Sequence, residues 1–198
     1  MIEIITPQHF TTVPWKNGKG ETLELAINPG GSLDNFQWRL SMATVSEDGV
    51  FSNFSGYTRN LVLIDGNGIN LQHDDNKIDR LTQLLDVATF DGGAKTVANL
   101  PAGEITDFNV ITDSASVNAK VNCQPNATDI TLAASEICFI YSLFNPVTLT
   151  ALSPNNPNTA LKTVAAGELI KITNLNKNSM QISGDHLIVV YLNTASVD

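Results

Sequence analysis

Hydrophobic and polar positions alternate with a period of two along much of the chain. In residues 22–27 (TLELAI), Thr22, Glu24 and Ala26 alternate with Leu23, Leu25 and Ile27. In residues 36–45 (FQWRLSMATV), Phe36, Trp38, Leu40 and Met42 alternate with Gln37, Arg39, Ser41 and Ala43. A strand points successive side chains to opposite faces, so each of these stretches reads as a half-buried strand. NLVLI (60–64) and INLQ (69–72) flank DGNG and predict a hairpin, because Asp-Gly and Asn-Gly supply the positive φ of tight turns. Further strands are predicted in 86–90, 96–100, 107–111, 116–122, 129–133, 136–143, 147–152, 169–174 and 186–192, separated by Gly-, Pro- and Asn-rich turns. Helix signals are few. Residues 6–10 (TPQHF) offer a single turn capped by Thr6 with Pro7 in first position, and 79–85 (DRLTQLL) offers a second short one. Many short strands joined by close turns predict an all-β barrel or sandwich. VATFDGG and TVAAGEL each set a glycine turn after an apolar strand, a faint internal echo that fits two related barrels. No linker divides the chain, and its most loop-like stretch, LSPNNPNT (152–159), falls inside the second half.

Composition narrows the function classes. The 198 residues fit one large domain or two small fused ones. A net charge of −9, with no basic cluster, argues against a nucleic-acid partner, since phosphate backbones are held by grouped Lys and Arg. Cys123 and Cys138 form no C-x-x-C pair and read as reduced, buried thiols. No run approaches the length of a membrane span, and the first residues do not read as a leader, so no membrane is expected and the cytoplasm is the expected location.

The stretch WKNGKGETLEL (15–25) looks at first like a phosphate loop. A Walker loop needs a glycine where Val13 stands, and a dinucleotide fingerprint needs one where Leu23 stands. The glycines also open a strand rather than a helix, so the loop is expected to wall a pocket instead of cradling a nucleotide. It resembles the W-K-N-G-G-G-x-T-x-E motif of the HutD/Ves family of cupin-like proteins. The resemblance continues through 38–71 (W-R-x-S-x-A-x-V, D-G-P-F-S-x-F-P-G and R-x-L-x-x-L-x-G-x-G), FDGG (90–93) and LPAGEITDFNVI (100–111). Lys19, Val50 and Ser55 depart from those patterns, and TDSAS follows the D-F-N block where the family often has basic residues. The resemblance implies a bicupin: two small antiparallel β-barrels or sandwiches in one chain of residues 1–198, with approximate halves 1–111 and 112–198. It also implies a protein associated with histidine utilisation or stress, in a regulatory role.

A metal-dependent cupin needs grouped His and carboxylate ligands. His9, His73 and His186 are scattered, and His73 is expected in a solvated polar turn, so neither a metal nor another cofactor is expected. Polar strand faces are the stronger candidates. Thr22 and Glu24 share one face, as do Gln37, Arg39 and Ser41. If both line one lumen, Glu24 and Arg39 either pair structurally or support a ligand. Arg59, at the entry of a strand, offers a two-pronged grip on a carboxylate and is expected to be solvated at a pocket mouth. Asp107 and Asn109 share a face and suit an amide or imidazole. Trp15 can stack on a planar ligand or pack as a lid; Asn17 lies beside it, and Gly18 and Gly20 allow close backbone approach. The first expectation is a non-enzymatic binding protein for a small anionic metabolite. Through the resemblance, urocanate or a formyl- or formimino-glutamate is implied. The alternatives are a metal-independent isomerase or hydrolase with Glu24 or Asp107 as acid/base, and a protein–protein regulator without a small ligand. A homodimer is left open.

Overall fold

The computed structural model of the chain describes residues 1–15, 20–74, 77–152, 159–176 and 179–195. The described residues form strands and one short 3-10 turn at Pro7–His9, where the sequence offers Thr6 and Pro7. The strands fall into two units. The first comprises Phe10–Val117 together with Ala195; the second comprises Met1–His9 with Asn118–Thr194. The halves implied by the resemblance, 1–111 and 112–198, place the first nine residues with the first half. In the structure β1 (Ile2–Ile5) runs antiparallel to β17 (Leu169–Leu175), with Ile2 opposite Ile172 and Ile5 opposite Leu169.

In the first unit, β2 (Thr11–Pro14), β3 (Glu21–Ile27), β4 (Trp38–Val45), β11 (Ile105–Asp113), β6 (Tyr57–Asp65) and β9 (Val87–Asp91) lie side by side in that order. The second sheet of this unit runs β5 (Gly49–Val50), β10 (Val97–Asn99), β7 (Ile69–Gln72), β8 (Ile78–Leu81). Val45, Leu61, Leu63, Ala88, Phe90 and Ile105 from the larger sheet pack with Ile69, Leu71, Leu81 and Ala98 from the smaller one. Each contributing strand sends every second residue into this core, as the alternation requires.

The second unit repeats the plan. Its larger sheet runs β1-β17-β14-β19-β12, where β14 is Ser135–Ser142, β19 is Leu187–Thr194 and β12 is Val117–Gln124. Its smaller sheet joins β13 (Thr128–Thr131), β18 (Met180–Gly184), β15 (Val147–Ala151) and β16 (Thr159–Val164). Leu132, Ile140, Leu149, Ile170, Ile182 and Val189 are among its fully buried core residues. The architecture is all-β, as the strand pattern predicts, and its two antiparallel sandwiches are the cupin-like pair that the family resemblance implies. Cys138 is buried in this second core and its thiol is pushed up to about 12 by desolvation; Cys123 is half-buried, and neither forms a disulfide.

Several local expectations are corrected. β6 and β7 do not pair as a hairpin. β6 lies between β11 and β9, whereas β7 lies between β10 and β8 in the other sheet. The DGNG connection therefore crosses from one sheet to the other. Gly66 and Gly68 have φ of 93° and 115°, and a Cβ on Gly66 would sit 2.6 Å from the Glu104 carbonyl oxygen. The turn glycines were recognisable, but tertiary packing chooses the partner strand. Residues 79–85 hold no helix: Ile78–Leu81 is strand β8, and Leu85 adopts φ 71°. Finally, β3 changes phase. Glu24 stands opposite Ser41, but a bulge then sets Ala26 opposite Leu40 and Ile27 opposite Arg39. Thr22 and Glu24 keep a common face while Ala26 leaves it, as an extra residue in one strand dictates.

Candidate functional site

The inward face of the larger sheet in the first unit becomes polar where its core rows run out. Two rows define it. In one, Glu24 (β3), Ser41 (β4), Asn109 (β11) and Leu61 (β6) stand opposite one another across neighbouring strands. In the next, Ile27, Arg39, Ile111, Arg59 and Phe90 do the same. Asp107 lies one step along β11, flanked by Ala43 and Leu63. The register thus brings Thr22, Glu24, Arg39, Ser41, Arg59, Asp107 and Asn109 onto one surface.

Both guanidinium groups are taken out of water: Arg39 is 4% exposed and Arg59 6%. Each reaches from its own row to the polar one. Arg39 Nε donates to Glu24 Oε2 at 2.6 Å, which makes the expected pair a fact. Arg59 Nη2 donates to Asn109 Oδ1 at 3.0 Å, and Asn109 Nδ2 donates in turn to Asp107 Oδ1. Two donors are left over. Arg39 Nη2 and Arg59 Nε are buried and have no hydrogen-bond partner among the described residues. A buried polar donor without an acceptor costs about 1–3 kcal/mol, more when charged, so such groups are features to explain.

Charge follows the same geometry. Burial pushes the Asp107 carboxyl up to about 7; the Arg59 charge and the Asn109 and Ala43 hydrogen bonds oppose this only in part. Burial lowers Arg59 to about 10, with Asp107 acting against it, so the guanidinium stays charged at neutral pH. Burial thus favours the protonated form of Asp107, and Asn109 rather than a carboxylate is the side-chain acceptor for Arg59.

Arg59 is not at a solvated mouth, as its position at a strand entry had implied. Its guanidinium carbon lies 5.1 Å, 5.6 Å and 5.2 Å from the ring centres of Phe51, Phe54 and Phe90, within cation–π range. Its Nη1 also donates to the Ser52 carbonyl at 3.4 Å. Residues 51–57 are held over it by the FDGG turn. Phe54 N–H donates to the Gly92 carbonyl at 2.8 Å, and Gly92 N–H donates to the Tyr57 carbonyl at 2.7 Å. A Cβ on Gly92 would stand 2.6 Å from the Phe54 carbonyl oxygen, so only glycine allows this approach. The blocks 48–56 and 90–93, distant in sequence, thus build one wall. Sequence reasoning missed the three phenylalanines; their spacing beside the motif glycines was the available signal.

At the other candidates, Trp15 Nε1 donates to Thr22 Oγ1 at 2.8 Å and its ring lies against Gly20, where a Cβ would approach to 3.0 Å. Trp15 N–H donates to the Gly20 carbonyl at 2.9 Å. Asn17 and Gly18 lie outside the described residues. His73 is buried, not solvated: Nδ1 is 2.9 Å from Thr96 Oγ1, Nε2 is 3.2 Å from Asp79 Oδ2, and the ring packs 4.8 Å from that of Phe90. It continues the inward parity of Ile69 and Leu71, which the polar residues after it conceal. His9 bonds Thr6 and His186 bonds Asp185, so the histidines do not converge. Among the described residues no three His, Cys, Asp or Glu side chains are grouped to hold a metal ion. Two surface clefts lie elsewhere, one of about 420 Å³ around Ile2, Thr173 and Met180 and one of about 210 Å³ around Asn70, Ile78 and Arg80. Among the described residues no helix is long and apolar enough to cross a membrane.

Comparison with known proteins agrees with this framework. The HutD family model matches residues 7–190. A 21.2 kDa protein of the hutC 3′ region of Pseudomonas putida is 37% identical over 110 residues, covering 56% of this chain and 57% of the relative. The match thus spans little more than half the length of that curated relative. HutD from Pseudomonas fluorescens superposes with a TM-score of 0.81 at 23% identity, covering 99% of this chain and 100% of that one. A conserved protein of unknown function from Pseudomonas aeruginosa gives 0.80 at 27% identity, covering 98% and 99%. With the family model running through both units and these structures covering nearly the whole chain, the chain belongs to the HutD family.

Proposed function

We propose that the protein is a non-enzymatic binding protein for a small carboxylated metabolite, working in the cytoplasm as a sensor linked to histidine utilisation. The observation that carries this reading is the pair of buried guanidinium groups, each with an N–H left without an acceptor, on one inward face. An arginine fork matches the geometry of a carboxylate, and a desolvated fork discriminates sharply. The net charge of −9 repels anions at long range, so affinity has to come from such a local site. The link to histidine utilisation is supported by the relative from the hutC 3′ region. Urocanate and formyl- or formimino-glutamate are the metabolites to try first.

Calorimetric titration with formate and N-formylglutamate tests the reading. Wild type is expected to bind at least one of them. Arg59→Lys keeps the charge but loses the fork, and the loss of affinity is expected to be about tenfold or more. Equal affinity in wild type and Arg59→Lys would remove Arg59 from the site.

One observation favours a second reading: a buried carboxyl near 7, Asp107, is poised as a general base or acid. Glu24 suits that role less, because Arg39 holds it at 2.6 Å. Turnover of the same metabolites, abolished in Asp107→Asn, would establish an enzyme instead.

A further inference from the structure

The two arginines are not equivalent. Arg39 already contacts a carboxylate, Glu24, at 2.6 Å, whereas Arg59 donates to the side chain of a neutral amide, Asn109, which in turn donates to Asp107. An acceptor arriving at Arg39 Nη2 therefore meets a neutralised ion pair, and an acceptor arriving at Arg59 Nε meets a cation. The two groups lie at opposite ends of the row Glu24–Ser41–Asn109. That row spans two strand spacings, about 10 Å, shortened by the reach of the two guanidinium groups.

We propose that the ligand is two-headed, with a carboxylate held by Arg59 and an uncharged oxygen acceptor held by Arg39. The proposal rests on the carboxylate reading above and adds the chemistry of the second end. A second carboxylate would be driven against Glu24 in a buried setting, where like charges are strongly disfavoured. A ketone or amide oxygen satisfies Arg39 Nη2 without that repulsion. Arg39 is then the specificity residue, and Glu24 sets the charge it accepts.

Three probes separate these contributions: 5-oxohexanoate, hexanoate and glutarate, titrated calorimetrically into the full chain. Wild type is expected to bind 5-oxohexanoate about tenfold or more tightly than hexanoate, the worth of one hydrogen bond to a charged donor, and more tightly than glutarate. Arg39→Lys should bring the ratio of 5-oxohexanoate to hexanoate towards one. Glu24→Gln frees the Arg39 charge and should place glutarate ahead of 5-oxohexanoate, an inversion that mere loosening of the fold does not produce. Equal binding of hexanoate and 5-oxohexanoate by wild type would overturn the two-headed ligand while leaving the carboxylate site standing. So would a folded Glu24→Gln protein with unchanged probe order. If a variant fails to fold, the wild-type ratio still decides. No binding of any probe, nor of formate, would overturn the carboxylate site itself and this proposal with it.

Discussion

Asp107 carries a carboxyl whose chemistry is set by burial. It is 1% exposed, sits beside Leu63, and receives a hydrogen bond from Asn109. Its carboxyl is raised from 3.8 to about 7 in the folded protein, with burial the leading cause. The native state therefore holds this proton more tightly than the unfolded chain does. Between pH of about 4 and 7 the native state binds more protons, so this contribution to stability falls as pH rises and is gone above about 7. Asp107→Asn removes the titration and keeps an acceptor for Asn109. Thermal melts of the two proteins should diverge with pH, the Asn variant gaining on wild type as pH rises from about 5 to 8. Parallel melting curves across that range would mean Asp107 is ionised throughout. The alternation placed Asp107 and Asn109 on one face. That the face is buried, and that Asn109 mediates between Asp107 and Arg59, depended on β6 pairing with β11, some fifty residues away in sequence.

At the scale of elements, the site depends on a strand sheet that supplies the donors and a loop that covers them. Residues 51–57 bring Phe51, Ser52 and Phe54 to Arg59, and Gly92 is the point on which they rest. Gly92→Ala should therefore be destabilising by about 1–3 kcal/mol, since the clashing atom is a backbone oxygen at 2.6 Å rather than a flexible side chain. It should also weaken carboxylate binding by loosening the wall over Arg59. Gly49→Ala is the control: a Cβ there meets nothing within 4 Å, and its melting temperature should match wild type closely. Equal melting temperatures in both variants would show that the loop does not rest on Gly92. Individual strands were legible from period-two patterning, and so was the shared face of Thr22 with Glu24 and of Arg39 with Ser41. The bulge after Glu24 was not, because TLELAI alternates without interruption and only pairing with β4 reveals the extra residue. The false hairpin around DGNG has the same origin: turn chemistry specifies φ, while the sheet a strand joins is set by its buried neighbours.

For the molecule as a whole, the antiparallel all-β plan was readable in the density of short strands and turn residues. The division of the chain was less so, because β1 finds its partner, β17, almost the whole chain away. Far-UV circular dichroism should show strand-dominated spectra; helix above about a quarter of the residues would contradict the fold. The central claim concerns one place in the first unit, and crystals grown with 5-bromofuran-2-carboxylate test it most directly, because the inert ring bromine marks the carboxylate by its anomalous signal. The expected result is a bromine peak inside the first unit, with carboxylate oxygens at about 2.7–3.0 Å from Arg59 Nε. A peak confined to the clefts around Asn70 or Thr173, with the inward face of β4, β6 and β11 unmarked, would contradict it.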